Sequence, residues 1–228
     1  MLYYFFSIKE KEHADLFHGL SIMSNPKALT YQNRYPVIFL TLKDMKNNTF
    51  EKQLKMFSKI IVNIIEAFPE LWDSDKLSSA SLKTIEMYHE GAQEEIDLQV
   101  SLQFIAQCLM QHYGKKVIII IDEYDVPLQS AYLNGYYDDM VNFLRNVFST
   151  ALKTNDALEK GVLTGCLRIA KESTPQAGFS LFTGLNNFKV NSIFDEVSRQ
   201  RFGFTQSEID LLLQAYHAEE YKAVVKEW

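Results

Sequence analysis

Nowhere in its 228 residues does the chain carry G-x-x-x-x-G-K-[ST], the loop whose amides and lysine cradle nucleotide phosphates. Glycine is scarce, nine residues in all, and the first, Gly19, has no Lys-Ser or Lys-Thr pair behind it. The Lys-Thr pairs that do occur, Lys83-Thr84 and Lys153-Thr154, follow no glycine loop. Nine glycines and five prolines also exclude a low-complexity or disordered protein. Cysteine is nearly absent. Cys108 and Cys166 lack C-x-x-C spacing and have apolar neighbours in the chain, so they read as buried free thiols in a reducing compartment. The five histidines are scattered, which argues against a metal site built on nitrogen or sulfur. No apolar run approaches the roughly 18 residues of a membrane span. The apolar start of the chain has no basic lead and no small-residue cleavage site, so it is not a signal peptide. The cytoplasm is the default location. A net charge of -6, with acids and bases interspersed, gives no basic face for nucleic acid.

Core-forming residues are plentiful. The chain is 47% hydrophobic, with 16 Phe and 12 Tyr, enough for one substantial domain with or without a small appendage. Its most informative stretch is Val117-Ile118-Ile119-Ile120-Ile121-Asp122-Glu123-Tyr124-Asp125. Five β-branched apolar residues in a row read as a strand buried on both faces, the pattern of a parallel sheet covered by helices. Ligands of such sheets bind beyond the carboxyl ends of the strands, where Asp122 and Glu123 fall. In phosphate-hydrolysing enzymes an acid there holds Mg²⁺ and a neighbouring acid orients the attacking water. The alternative is a buried strand that ends in a solvated acidic turn.

Hydrophobic periodicity sets out the rest. Residues 1–12 read as a helix that is apolar nearly all round, and hence buried. Residues 36–42 read as a strand, and 49–68 as an amphipathic helix with Leu54, Phe57, Ile61, Ile64 and Ile65 on one face. Residues 72–91 are a more polar excursion. A helix over 97–113 is capped by Asp97 and stopped by Gly114. Residues 136–153 read as a helix and 161–165 as a short buried strand. Thr205-Gln206-Ser207-Glu208 is a capping box that opens a helix running through Gln214, and 217–228 is a final helix. Strands alternating with long helices imply βαβ units, with the three strands parallel and the Val117 strand in the middle. Both ends of the chain look cut: the first helix lacks a cap, and the last lacks a terminator.

A second group of residues follows the third strand. Thr164 and Arg168 would emerge beside Asp122 and Glu123, where a hydroxyl can sense water or a γ-phosphate and a guanidinium can neutralise charge. A polar loop paired to nearby acids is the plainer reading. Four motifs then occur in order: Ile-Asp-Glu-Tyr-Asp-x-Pro-Leu (121–128), Leu-Thr-Gly-x-Leu-Arg-Ile-Ala-Lys-Glu-Ser (163–173), Gly-Leu-Asn-Asn (184–187) and Phe-Gly-Phe-Thr (202–205). Together they closely resemble the bacterial AAA-ATPase-like domain that is often fused to a PD-(D/E)XK nuclease-like domain. The resemblance covers essentially the whole chain.

The resemblance implies a partial P-loop NTPase-type α/β fold, a parallel sheet sandwiched by helices that lacks its first strand and phosphate-binding loop. It implies an incomplete core over 1–204 and the start of a C-terminal helical subdomain over 205–228. By position it makes Asp122 the Mg²⁺ holder and Glu123 the water activator. Asp125 shares their turn, as a cofactor-binding residue or as a group that fixes the turn's geometry. Thr164 and Arg168 match the sensor-like segment, and Asn186 and Asn187 match the family's Asn-Asn pair. Residues 174–179 are an insertion relative to the pattern. The intact parent would bind and hydrolyse ATP with Mg²⁺ to switch a partner domain, the nuclease-like domain of the same polypeptide. This chain would hold neither ligand tightly and would be inactive by itself. Two other functions stand beside that one. The first is a non-catalytic structural or interaction module. The second is a metal-dependent nuclease using Asp122, Glu123 and Asp125, for which the E-x-K match, Glu220-Tyr221-Lys222, lies far from the acids in sequence.

Overall fold

Three parallel strands, β1 (Val37–Thr41), β2 (Val117–Asp122) and β3 (Leu158–Leu163), form one open sheet in the order β1-β2-β3. The computed structural model describes residues 1–91, 93–166, 189–196, 198 and 204–227. Both pairings are parallel, with Val37 opposite Ile118 and Ile119 opposite Gly161. β2 takes the middle because it alone can be dry on both faces: Val117, Ile118, Ile119, Ile120 and Ile121 are all buried. The order and direction match the sequence expectation. β3 begins three residues before the expected Gly161 and ends at Leu163, so Thr164 and Gly165 lie just past the strand.

One face of the sheet carries a helical layer. Helices α3 (Phe50–Glu66), α5 (Glu95–Tyr113) and α7 (Tyr137–Leu152) lie on β1, β2 and β3 respectively and pack on one another. The crossover from β1 to β2 supplies α3 and α5, and the crossover from β2 to β3 supplies α7, which places them side by side. Phe57 of α3 and Phe143 of α7 meet edge to face, their centroids 5.2 Å apart, inside this layer. α3 starts where the Thr49 side chain accepts from the Lys52 N–H at 3.4 Å, and α5 stops at Gly114, whose φ of 64° suits glycine. Between them α4 (Ser79–His89) is capped by Ser78 and packs on α3.

Three of the helices expected within residues 1–153 change. Asp97 does not cap α5: the helix begins at Glu95, and Asp97, one turn in, accepts from the Glu94 N–H at 3.0 Å. The helix expected over 136–153 is preceded by another, α6 (Val126–Asn134), which Pro127 opens and Gly135 closes at φ 81°. The third change is at the start of the chain, where α1 spans only Leu2–Phe6 and a 3₁₀ helix follows at Lys11–Phe17. Of the α1 residues only Phe5 is buried, and Leu2 and Tyr4 are exposed. Remote residues end this helix by taking its last carbonyls. The Asn33 N–H donates to Phe5 O (2.7 Å), the Asn33 amide to Tyr4 O (3.0 Å) and Ser7 O (2.8 Å), and the Tyr35 N–H to Phe6 O (3.1 Å). Asn33 does this from φ 52°, a conformation that asparagine tolerates better than most residues. Tyr3 and Phe6 of the segment pack with Tyr35 and Val162 over Val37, Ile118 and Ile120, the second face of the sheet.

The described chain forms two compact units, Met1–Asn186 and Asn187–Trp228. The second unit contains α8 (Gln206–Ala215) and α9 (Lys222–Glu227). The expected capping box opens α8: the Thr205 N–H donates to Glu208 Oε2 at 2.7 Å, and the Glu208 N–H returns to Thr205 Oγ1 at 3.4 Å. The last helix is shorter than expected, since Glu219–Tyr221 is a 3₁₀ turn ahead of α9.

Core burial also sets a pH response. Cys108 is buried as expected, but Cys166 is exposed. Burial pushes the Cys108 thiol from 9.0 to about 11 and raises the Tyr88 hydroxyl well above the phenol range. Burial and the neighbouring Glu70 do the same to Tyr113. Raised values in the folded state mean that the unfolded chain ionises first. The stability these groups contribute is therefore complete below their ordinary values and is lost as pH rises through the folded ones. The thermal midpoint is expected to hold up to pH 9.0 and to fall progressively toward about 11, read by circular dichroism. A midpoint that stays flat across that window contradicts the burial of these groups.

Candidate functional site at the end of the central strand

β2 ends against both neighbours. The Leu42 N–H donates to Asp122 O (2.9 Å), and the Thr164 N–H donates to Ile121 O (2.9 Å). Parallel pairing puts Thr41, Asp122 and Thr164 at one level at the carboxyl end of the sheet. There the Thr164 hydroxyl donates to Asp122 Oδ1. The same oxygen accepts from the Glu123 N–H at 3.1 Å. Asp122 Oδ2 has no partner among the described residues, and Asp122 is half-buried.

Glu123 turns the chain out of the sheet with φ 54°. A residue with a Cβ pays about 1–2 kcal/mol for that region, which glycine enters freely. Neighbours hold it there. Asp122 takes its N–H, its carbonyl accepts from Val126 N–H (3.2 Å), and the next N–H, that of Tyr124, donates to Thr164 O (3.1 Å). Its carboxylate has no partner among the described residues. Left-handed non-glycine residues cluster at functional sites, and this one is a candidate catalytic acid. Glu123→Gly should leave the thermal midpoint equal to the parent's or above it, and Glu123→Val should lower stability by about 1–2 kcal/mol in urea titrations. Equal stabilities for the two variants would show that the conformation stores no strain.

Asp125 points inward and is 1% exposed. Its Oδ1 accepts from the Cys166 N–H (3.3 Å) and its Oδ2 from the Gln129 amide (2.8 Å). α6 starts immediately after it, so the acidic turn sits at a helix N-terminus, where negative charge is favoured. No motif or periodicity marks the brace behind this turn. Gln53, fully buried on α3, donates to Met45 O and to the Tyr136 hydroxyl, both at 3.0 Å. Asn47 O accepts from Ser130 Oγ (3.1 Å) and from the Tyr136 hydroxyl. The loop after β1 is thereby tied to α3, α6 and α7.

Of the residues picked out in the sequence, Asp122, Glu123, Asp125 and Thr164 come together. Arg168, Asn186 and Asn187 lie outside the described residues. Among the described residues no three His, Cys, Asp or Glu side chains form a group able to hold a metal ion, and Asp125 is buried. Glu220 and Lys222 lie in the second unit, where Lys222 pairs with Asp210 at 2.9 Å.

A three-stranded parallel sheet flanked by helices, with an acidic turn at the end of its central strand, is consistent with a P-loop-like α/β fold. The family model described as predicted AAA-ATPase matches residues 1–174, and the chain belongs to this AAA-ATPase-like family. No curated protein and no solved structure matches it. No helix among the described residues is long and apolar enough to cross a membrane.

Proposed function

We propose that the acidic turn after β2 is the metal- and water-handling half of an ATP-hydrolysing site. Asp122 holds Mg²⁺, Glu123 orients the attacking water, and Thr164 senses the site through its hydrogen bond to Asp122. One observation carries this reading: among the described residues neither Asp122 Oδ2 nor the carboxylate of Glu123, held at φ 54°, has a partner. The donor set suits Mg²⁺, a hard cation that takes one or two carboxylates, keeps several waters and is completed by substrate phosphates. When bound there it would neutralise phosphate charge as the γ-phosphoryl group transfers. Arg168 is assigned the parallel task of charge neutralisation, by its place in the family's motif.

The phosphate cradle is the other half, and the sequence does not contain it. β3 has no second partner strand among the described residues, and it is partly exposed along its length. A strand that delivers a glycine loop alongside β3 would set the phosphates next to Thr164 and Asp122. Without that loop the chain holds Mg·ATP weakly and turns it over at background, and a purely structural role follows for the chain alone. With the loop, nucleotide state would move a partner domain, for which the family resemblance offers a nuclease-like domain. Calorimetric titration tests the reading. Mg·ATP is expected to bind the chain joined to a strand and glycine loop of an AAA-ATPase-like relative, and Asp122→Asn in that protein should remove the Mg²⁺ dependence. If the loop adds no affinity, or Asp122→Asn keeps the full Mg²⁺ dependence, the assignment fails.

A further inference from the structure

The acidic turn and the loop after β3 are separate pieces of chain that meet at a single buried carboxylate. Asp125 Oδ1 takes the Cys166 N–H at 3.3 Å, and one residue earlier Gly165 lies flat against the same group. A methyl group on Gly165 would stand 2.5 Å from Asp125 Oδ1 and 2.8 Å from the Tyr124 ring, closer than any real Cβ approaches. Only glycine permits this approach. The Tyr124 N–H to Thr164 O bond closes the contact from the other side. Gln129, one turn along α6, holds the second oxygen of Asp125 at 2.8 Å and so fixes the orientation of the carboxylate. Glu123 lies between Asp122, which accepts from the Thr164 hydroxyl, and Tyr124, whose N–H donates to Thr164 O.

We propose that Asp125 is a positioning residue whose buried carboxylate, with Gly165 packed on it, clamps the loop after β3 to the turn after β2 and so holds Glu123 in its left-handed conformation. The clamp keeps Thr164 on Asp122 and the Glu123 carboxylate turned outward. Its catalytic consequence rests on the ATPase reading; the clamp itself does not. Asp125 therefore touches neither metal nor water and acts through Glu123 and Thr164.

Site-resolved amide hydrogen exchange on the 228-residue chain, without nucleotide, tests the clamp directly. Asp125→Ala is expected to speed exchange at the Cys166 and Tyr124 amides by about tenfold or more, while the core amides of β2 keep their protection. Asp125→Asn should restore it, because its carbonyl still accepts from Cys166 and the Gln129 amide can turn to meet the new NH₂ group. Gly165→Ala attacks the same contact from the other loop and should speed the same two amides, which decides the matter if Asp125→Ala does not fold. Unchanged protection in Gly165→Ala, or an Asp125→Asn variant as open as Asp125→Ala, overturns the proposal. In the loop-bearing protein Asp125→Ala should lower kcat by about 100-fold at unchanged KM, the signature of a misplaced group rather than a lost ligand. A matching loss of Mg·ATP affinity would make Asp125 a metal ligand instead and would overturn the proposal. A loop-bearing parent with no ATPase activity would sink the reading of the site and leave the exchange result to judge the clamp.

Discussion

Glu123→Gln in the loop-bearing protein is expected to cut steady-state ATP turnover by about 10²–10⁴-fold while Mg·ATP still binds. Glutamine matches glutamate in shape and adopts φ 54° at similar cost, so the turn is preserved. It cannot accept a proton at neutral pH or orient a water as a carboxylate does. Asp122 Oδ2 still has no partner among the described residues, and Thr164 keeps its hydrogen bond, so the metal side of the site is untouched. Hydrolysis rates paired with nucleotide titrations separate the two effects. A Glu123→Gln variant that hydrolyses ATP at the parental rate would remove the acid pair from the chemistry.

Phe143→Ala should cost about 3–5 kcal/mol of folding stability, a large share of the roughly 5–15 kcal/mol that holds a domain together. Phe143 has no exposed surface, and its ring meets Phe57 at 5.2 Å and Phe50 at 6.2 Å, both edge to face. It joins the first turn of α3 to the middle of α7, so its loss opens the helical layer and not a lone contact. The neighbouring residues Met140, Leu144 and Val147 are themselves buried, so the packing around the gap is already committed. Tyr132→Ala on α6, at a residue 75% exposed, is the control and should stay within about 0.5 kcal/mol of the parent. Urea midpoints measure both. Equal midpoints for the two variants would mean that the layer is not packed as described.

Local pattern made the centre of the molecule legible. The run from Val117 to Ile121 reads as a strand dry on both faces, and its place in the middle of a parallel sheet followed from strands alternating with long helices. Asp122, Glu123 and Thr164 were legible for the same reason, since parallel strands bring their carboxyl ends to one level. Most departures from the sequence pattern have non-local causes. α1 stops early because Asn33 and Tyr35, far along the chain, take its carbonyls. Residues 1–6 look like a buried helix when read by themselves. Cys166 has apolar neighbours in sequence and lies in the open because the chain has left β3. Two departures are local: α6 is a short apolar sequence with no clear stripe, and Asp97, a residue type typical of caps, sits two residues inside α5 and accepts from the Glu94 N–H. The buried direction of Asp125 is set by Cys166 and Gln129, and a list of four neighbouring acids and aromatics does not reveal which of them faces inward.

The wide spacing of the strands has a kinetic meaning. About 80 residues separate Val37 from its partner Ile118, and about 40 separate Ile119 from Gly161, so neither pairing can form until its crossover has closed. Asp122 needs both: Leu42 must arrive on one side and Thr164 on the other before its surroundings exist. The acidic turn is thus completed only with the last of the long-range contacts. During synthesis the turn stays unformed until β3 has emerged and docked, long after β1 and α3 have been made, and a chain that stalls before that point exposes the five apolar residues of β2 to whatever strand it meets.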